Sequence, residues 1–334
     1  TYAYFDGSYA IMNEHGLGIG ETTAAARVYK QPKPKSGAIL HSDVLSRLGL
    51  ERCKTARCAI KTMGELAVEH GYYGWGENLS IIDGEEAWVF TVVPTPDEPS
   101  AVWVAQRVPD DEIAVVPNII TIREIDFDDP DNFLYSDNIK EVAKEQGWWE
   151  EGEPFDFLKI HGGGEYGHPY YSLRRKWRGL DLLAPSKNFD PYLEGEYSKQ
   201  YPFSVKPDEK VSVRDIFNVQ RDYYQGTQFD LTEGLAAGPF GTPNRYAGGE
   251  GEDLVEGAWE RAISIFRCAY TTTLQSRADL PGPISGVTWF GQDAPHSTVY
   301  VPFYAGITEI PEAYSTGHMK EFNRDSAWWA FDFV

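Results

Sequence analysis

Residues 112–126 contain two short runs of mostly β-branched residues on either side of a Pro-Asn pair. The runs cover residues 113–116 and 119–122, and Pro117 and Asn118 separate them. Runs of this length and composition predict a buried strand that is interrupted at its centre, because proline has no N–H to donate to a strand ladder. An amide side chain at the interruption can act as a fixed hydrogen-bond donor towards a reacting oxygen, or it can satisfy the polar groups of a β-bulge. The local sequence leaves both interpretations open.

The composition is that of a globular protein with a strongly acidic surface. The chain has 334 residues, of which 42% are hydrophobic and 14% aromatic, and its formal net charge is -21. A field of this sign repels phosphate backbones and anionic lipids, so nucleic acid and membrane are not expected as partners. No apolar run approaches the length of a membrane span. Whether the protein forms a homo-oligomer stays open.

The cysteines and histidines do not form a recognisable metal site. Cys53 and Cys58 fall in one predicted helix, where a five-residue spacing directs them to different faces, and we expect both to be buried small side chains. A disulfide to Cys268 is the alternative. The seven histidines include no His-x-x-x-His pair, so zinc is not expected. The acidic residues between 124 and 131 lack the glycine and terminal glutamate of an EF-hand and predict a solvated loop. No metal or cofactor is predicted.

Arg267 lies between Phe266 and Cys268 in an apolar segment. A buried guanidinium is costly unless it is paired. Arg267 is therefore expected either to hold a structural carboxylate or to support an active site.

Hydrophobic periodicity and turn signals predict alternating hairpins and helices. Asp83-Gly84 is a strong hairpin signal between two apolar runs, and Ser212 with Asp215 has the spacing of a helix capping box. The predicted elements are a hairpin over 8–22, a helix over 50–70, a hairpin over 79–93, a strand over 101–108, helices over 139–146 and 213–223, and strands over 286–290 and 298–304. Residues 254–269 fit either a helix or a helix that runs into a strand. The pattern predicts an α+β fold with antiparallel sheets covered by helices.

Residues 155–250 are rich in Gly, Pro, Tyr and Trp and show weak periodicity apart from the helix at 213–223. Long irregular segments in compact chains usually form functional loops or lids. This region is therefore predicted to be a loop-rich insertion or lid.

Several stretches together resemble the dipeptidase A family of N-terminal-nucleophile (Ntn) cysteine hydrolases, which is related to secernins and to penicillin V acylases and bile-salt hydrolases. They occur in the family's order across nearly the whole chain and are IMNEHGLGIGETT (11–23), LERCKTARCAI (50–60), WVAQRVPDD (103–111), VVPNIITIREID (115–126), DYYQGTQFD (222–230), LAAGPFGTPNR (235–245) and residues 289–307. The resemblance implies one Ntn-hydrolase domain over 1–334, folded as an αββα four-layer sandwich. It also implies hydrolysis of dipeptides or similar small amides, with a small peptide as the partner.

In this family, a mature N-terminal cysteine attacks the substrate carbonyl and its own α-amine serves as the base. By resemblance, Asn118 donates to the tetrahedral oxyanion and Arg267 lines the nucleophile's side of the site. Asn13, Glu21 and Thr22 are placed by the same resemblance near the substrate.

The chain departs from the family pattern at both ends. The family's nucleophile and first strands would precede Thr1, which leads directly into the first hairpin and is not expected to be the nucleophile, and residues 327–334 stop where the family continues with helix. We expect a chain without those N-terminal strands and that C-terminal helical part. The alternatives are a catalytically inactive relative with a binding or structural role, and an acylase acting on non-peptide amides. The acidic composition and the sequon Asn78-Leu79-Ser80 slightly favour a secreted or lysosomal setting.

Overall fold

A seven-stranded antiparallel sheet forms the centre of the computed structural model, which describes residues 1–165, 170–193, 201–244 and 260–332. Its strands lie side by side in the order of the chain: β1 (Tyr4–Asp6), β2 (Ala10–Asn13), β3 (Gly18–Ala24), β4 (Gly76–Ile82), β5 (Ala87–Pro94), β6 (Ala101–Val108) and β7 (Phe133–Tyr135). Every pairing is antiparallel. Short connections favour this for most of the pairs, whereas residues 25–75 separate β3 from β4. The predicted hairpins and the strand at 101–108 are confirmed.

The turn between β4 and β5 shows how local sequence sets the register. Asp83 Oδ1 accepts hydrogen bonds from the backbone N–H groups of Glu85 (2.7 Å) and Glu86 (2.8 Å). The Asp side chain thus satisfies the N–H groups that the tight turn leaves unpaired. Ile82 and Ala87 close the ladder directly behind this turn.

Two helices, α1 (Ser42–Arg52) and α2 (Ala56–His70), cover one face of the sheet. Their apolar side chains pack on those of β3 to β6 in a buried core that includes Leu45, Leu50, Ile60, Met63, Leu79, Phe90 and Trp103. Gly64 allows the close approach of α2, because a Cβ there would lie 2.2 Å from the Trp103 ring.

The single helix predicted over 50–70 is broken at residues 53–55, and the expectation for its cysteines is wrong. Cys53 is extended after the end of α1, and Thr55 caps α2 by accepting a hydrogen bond from Cys58 N. The break removes the helical geometry that would separate the two side chains. Cys53 and Cys58 therefore form a disulfide with each other, and Cys268 is a free thiol.

The opposite face of the sheet is covered by residues 113–125 together with α3 (Ile139–Glu145) and α4 (Phe157–His161). Ile120 and Ile122 are fully buried there, as expected of the apolar run. The segment is nevertheless not a strand, since it makes only isolated bridges from Ile113 to Val205 and from Glu124 to Asp156. Its central backbone groups are instead bonded by side chains, as described below.

Residues 155–250 contain more helix than their sequence indicates. In addition to the predicted α6 (Val213–Gln220), the region contains α4 and α5 (Leu173–Leu183). The capping box of α6 is confirmed, because Ser212 and Asp215 exchange both expected hydrogen bonds. Helix α5 packs on Ile119 and on residues around Tyr224 in a third core.

A second antiparallel sheet contains β8 (Tyr270–Ser276), β9 (Gly286–Gln292) and β10 (Val301–Tyr304), in the order β10-β9-β8. Short helices α7 (Gly282–Ser285), α8 (Glu312–Ser315) and α9 (Ala327–Asp332) accompany it. Of the segment 254–269, residues 254–259 lie outside the described residues, and residues 260–269 have no helix or strand. The fold is α+β with antiparallel sheets, and within the described ranges no helix is long and apolar enough to cross a membrane.

Candidate active site

The backbone on both sides of Asn118 is fixed by two buried side chains. The Asn78 amide, from β4, donates to the carbonyl oxygens of Ile119 (3.0 Å) and Pro117 (3.5 Å), and Thr91 donates to Asn78 Oδ1 at 2.8 Å. The Ser172 hydroxyl, just before α5, donates to the carbonyl oxygen of Asn118 at 2.9 Å. These bonds replace the ladder that Pro117 prevents, and they position residue 118 without a strand.

The Asn118 side chain is 9% exposed and has a defined orientation. Its Oδ1 accepts from Arg175 Nη2 (2.7 Å) and Arg261 Nη1 (2.9 Å), while its Nδ2 donates to the carbonyl oxygen of Thr23 (2.7 Å). A guanidinium can only donate, so the oxygen must face the arginines and the nitrogen must face β3. One Nδ2 proton is used by Thr23, and no hydrogen bond within the described residues uses the other. Asn118 can therefore present an oriented N–H to a ligand.

Tyr171 and Tyr224 hold the two arginines in place. Arg175 Nε donates to the Tyr171 carbonyl oxygen (2.8 Å), and Arg261 Nη1 donates to the Tyr171 hydroxyl (2.7 Å). The Tyr224 hydroxyl in turn donates to the carbonyl oxygen of Arg261 at 2.7 Å. Burial, and then the positive charge of Arg261, lower the pKa of Arg175 to about 10, so it remains a cation at neutral pH.

The arginines of α5 differ in how their charges are compensated. Arg174 pairs with Glu260 at 3.0 Å, and Arg178 pairs with Asp222 at 2.9 Å. Across the described part of the chain, neither Arg175 nor Arg261 has a carboxylate as an ion-pair partner. The positive charge beside Asn118 is thus available to an anion or to a developing negative charge.

Arg267 does not join this cluster, and the expectation that it is buried is wrong. It is exposed, as is the neighbouring Phe266, because residues 260–269 follow an irregular course and apolar neighbours there do not enforce burial. Arg261, six positions earlier, contacts Asn118 instead. The sequence provides little signal for this choice, because the contact joins residues 143 positions apart.

Asn13 is fully buried and ties the first hairpin to the end of α1. Its Nδ2 donates to the carbonyl oxygens of Leu50 (2.9 Å) and Cys53 (2.8 Å), and its Oδ1 accepts from the N–H groups of His15 (3.0 Å) and Leu17 (3.2 Å). These four bonds use both Nδ2 protons and both Oδ1 lone pairs. Asn13 therefore connects the first hairpin to the end of α1 and does not lie beside Asn118.

Thr22 and Glu21 lie on opposite faces of β3, since side chains alternate along a strand. Thr22 pairs with Asn78 of β4 and shares the face on which Asn118 lies. Glu21 is on the face covered by α1 and α2, together with Thr23 and its partner across the ladder, Glu77. The Thr23 hydroxyl oxygen lies 3.0 Å from Oε1 of Glu21 and 3.1 Å from Oε1 of Glu77.

The structure changes the interpretation of the sequon at Asn78 and of the free thiol of Cys268. Asn78 is 0% exposed and hydrogen bonded, so its sequon cannot carry a glycan in this fold and gives no support for secretion. Burial raises the pKa of the Cys268 thiol, which makes it a weaker nucleophile at neutral pH.

No group of three or more metal-ligating side chains is placed to hold an ion in the ranges that the structure covers.

Comparisons with known proteins match almost the whole chain. The model of peptidase family C69 matches residues 6–334. A probable dipeptidase of Latilactobacillus sakei is 28% identical over 321 residues, which is 95% of this chain and 62% of that protein. Dipeptidase A of Lactobacillus helveticus is 28% identical over 299 residues (89% and 56%), and a probable dipeptidase of Salmonella dublin is 28% identical over 305 residues (89% and 63%). The chain thus spans about three fifths of the length of these relatives.

Proposed function

The chain belongs to peptidase family C69, and on this premise we propose that the protein hydrolyses dipeptides or similar small amides with a cysteine nucleophile of the Ntn type. The names of its relatives support the substrate class. Neither the disulfide-bonded Cys53 and Cys58 nor Cys268, whose thiol pKa is raised by burial, supports this role well.

The observation that carries the proposal is the oriented amide of Asn118. When a thiolate attacks a peptide carbonyl carbon, the carbonyl oxygen becomes an oxyanion. The free N–H of Asn118 donates to that oxyanion, and Arg175 and Arg261 strengthen the donor because they withdraw electron density through Oδ1. A donor that is already oriented needs no reorganisation as charge develops, and one such donor is typically worth about 10²–10³ in kcat.

The remaining steps follow from the chemistry of an acyl-enzyme. The nucleophile's α-amine takes the thiol proton and returns a proton to the departing amine, which leaves a thioester. Water, deprotonated by the same amine, then attacks the thioester through a second oxyanion at Asn118 and releases the acid and the thiol. Asn118 thus serves both halves of the reaction.

An αββα four-layer sandwich is part of the proposal. It is supported by the two antiparallel sheets, by the contacts of β2 with β9 and of β3 with β8, and by the helices α1 and α2 on one face. For the compartment, the Cys53–Cys58 disulfide supports an oxidising environment such as that of a secreted protein.

The test is hydrolysis of alanylalanine by the native protein before and after alkylation with iodoacetamide. We expect release of alanine that alkylation abolishes. A Cys268→Ser variant should hydrolyse the dipeptide at the wild-type rate and remain sensitive to alkylation, which separates the nucleophile from the free thiol of the structure. Activity that survives alkylation would contradict the thiol mechanism, and absence of hydrolysis would favour a binding or structural role.

A further inference from the structure

Asn118 bridges strand β3 and helix α5. Its Nδ2 donates to the Thr23 carbonyl oxygen of β3, and its Oδ1 accepts from Arg175 of α5. Its own carbonyl oxygen accepts from the hydroxyl of Ser172, which directly precedes the same helix. The orientation of the amide therefore depends on how far the end of β3 lies from the start of α5.

Residues 162–165 (Gly-Gly-Gly-Glu), the glycine loop, connect the same two elements a second time. The loop leaves α4 and pairs with the chain that follows β3, where Gly162 forms a β-bridge with Ala26. The Gly163 N–H donates to the Ala25 carbonyl oxygen at 2.8 Å. A Cβ at Gly163 would lie 2.7 Å from the carbonyl oxygen of Ala26, so this close approach requires glycine. The glycine loop is thus held against the end of β3.

The other end of the glycine loop caps α5 with a carboxylate. Glu165 Oε1 accepts hydrogen bonds from the backbone N–H groups of Ser172 (2.8 Å) and Leu173 (2.9 Å). N–H groups at the start of a helix have no partner within it, and a negative charge there interacts favourably with the helix dipole. Oε2 is buried without a hydrogen-bond partner among the residues that the structure describes, so the carboxylate is held by its Oε1.

The cap from Glu165 leaves the Ser172 hydroxyl available to Asn118. A serine at the start of a helix commonly accepts from a first-turn N–H with its own hydroxyl. Ser172 instead has φ −98° and ψ −44°, makes no side-chain cap, and donates to the Asn118 carbonyl oxygen. Glu165 thus performs the capping that Ser172 does not.

The charge of Glu165 also reaches Arg175. Burial, and then the charge of Arg261, lower the pKa of Arg175 to about 10, and the charge of Glu165 acts more weakly in the opposite direction. Glu165 and Arg175 form no ion pair in the part of the chain that the structure covers. We therefore expect Glu165 to act on the site mainly through the two hydrogen bonds of its Oε1.

We propose that Glu165 is a positioning residue for the reaction, which caps α5 in place of Ser172 and thereby fixes the Asn118 amide between β3 and α5. This inference rests on the proposed function, in which Asn118 donates to the oxyanion. Without the carboxylate, the first N–H groups of α5 lose their acceptor, and the Ser172 hydroxyl turns to them and away from Asn118. Asn118 then loses the bond to its carbonyl oxygen, and its amide moves relative to the substrate.

The first test measures alanylalanine hydrolysis by Glu165→Ala and Glu165→Gln. For Glu165→Ala we expect kcat to fall by about 10- to 100-fold with KM close to wild type, since displacement of a catalytic group by about 1 Å can cost up to about 100-fold. For Glu165→Gln we expect kcat within about threefold of wild type, because the glutamine amide oxygen can accept the same two N–H bonds. A wild-type kcat in Glu165→Ala, or equal losses in both variants, would overturn the proposal.

Asp215→Ala is the matched control, because the Asp215 carboxylate accepts from the Ser212 N–H at the start of α6. It removes a capping carboxylate of the same kind from a different helix. Both alanine variants should lower the melting temperature by about 2–4 °C, but only Glu165→Ala should lower kcat. If Asp215→Ala loses as much kcat as Glu165→Ala, a general loss of helix stability explains the effect and the proposal fails.

The second test does not depend on hydrolysis. In protein with isotope-labelled asparagine, the side-chain amide resonances of Asn118 are those that disappear from the NMR spectrum of Asn118→Ala. They should shift or broaden in Glu165→Ala and keep their positions in Glu165→Gln and Asp215→Ala. Unchanged Asn118 resonances in Glu165→Ala would refute the positioning role. If the resonances respond as expected while the wild type hydrolyses no dipeptide, the positioning role stands and the proposed hydrolysis fails.

Discussion

Replacing Arg175 by methionine should reduce catalysis strongly while changing stability little. Burial and the charge of Arg261 lower the pKa of Arg175 to about 10, and a depression of that size disfavours the charged form by roughly 3 kcal/mol. The hydrogen bonds of Arg175 to Asn118 and Tyr171 offset this cost, and each contributes about 1.5–3 kcal/mol when the donor is charged. The two contributions are of similar size, and methionine fills the space without a charge, so we expect the free energy of unfolding to change by no more than about 2 kcal/mol.

Catalysis should respond differently, because the orientation of Asn118 depends on donors to its Oδ1. Arg261 keeps one of these, so we expect kcat for alanylalanine to fall by about 10- to 100-fold, less than for complete loss of the oxyanion donor. The KM should change little, since the donor acts mainly on the transition state. The assay combines steady-state kinetics with urea unfolding of the same samples. A variant that unfolds readily, or one that is stable and keeps kcat within about twofold, would refute the reasoning.

Three further perturbations have defined outcomes. Replacing Cys53 and Cys58 together by serine should lower the free energy of unfolding by about 2 kcal/mol, as loop-closure entropy predicts for a bridge of this short span, whereas Cys268→Ser should have a smaller effect in urea titrations. Asn78→Ala removes the bonds that fix residues 117–119, and should cost about 2–3 kcal/mol in the same titrations and lower kcat as well. Because the folded pKa of Glu77 lies above its unfolded value, the folded state loses stability relative to the unfolded state as pH rises from about 4.5 towards 10. Glu77→Gln should therefore gain stability over wild type in melting curves as pH rises from 5 to 8, and a constant difference would contradict the raised pKa of Glu77.

The elements that the sequence predicts correctly depend on neighbouring residues. Asp83-Gly84 specifies its hairpin through bonds within the turn, and Ser212 with Asp215 specifies the start of α6 through a capping box. Strand β6 matches its prediction at both ends because an apolar run of that length fits a strand that is paired on both sides. Such signals act over a few residues and can be recognised in a single chain.

One error arises from contacts between residues that are distant in the sequence, and another from a local helix cap. Residues 113–122 have strand composition, yet the amide of Asn78 takes carbonyl groups that a ladder would use. Thr55 caps a new helix and brings Cys53 to Cys58, which a continuous helix would keep apart.

The candidate site was predictable only in part. Asn118 follows from the interrupted apolar run and from the family resemblance. The arginines that contact it come from α5 and from an irregular segment, so periodicity does not reveal them, and Arg267, expected at the site by resemblance, is exposed.

The most direct test of the account is the rate of alanylalanine hydrolysis by Asn118→Ala, with Asn132→Ala, an exposed asparagine, as the control. We predict that kcat falls by about 10²–10³ in Asn118→Ala while KM stays close to wild type, and that the control retains wild-type kinetics. If Asn118→Ala is folded and turns over within about threefold of the wild-type rate, Asn118 is not the oxyanion donor and the central claim is contradicted.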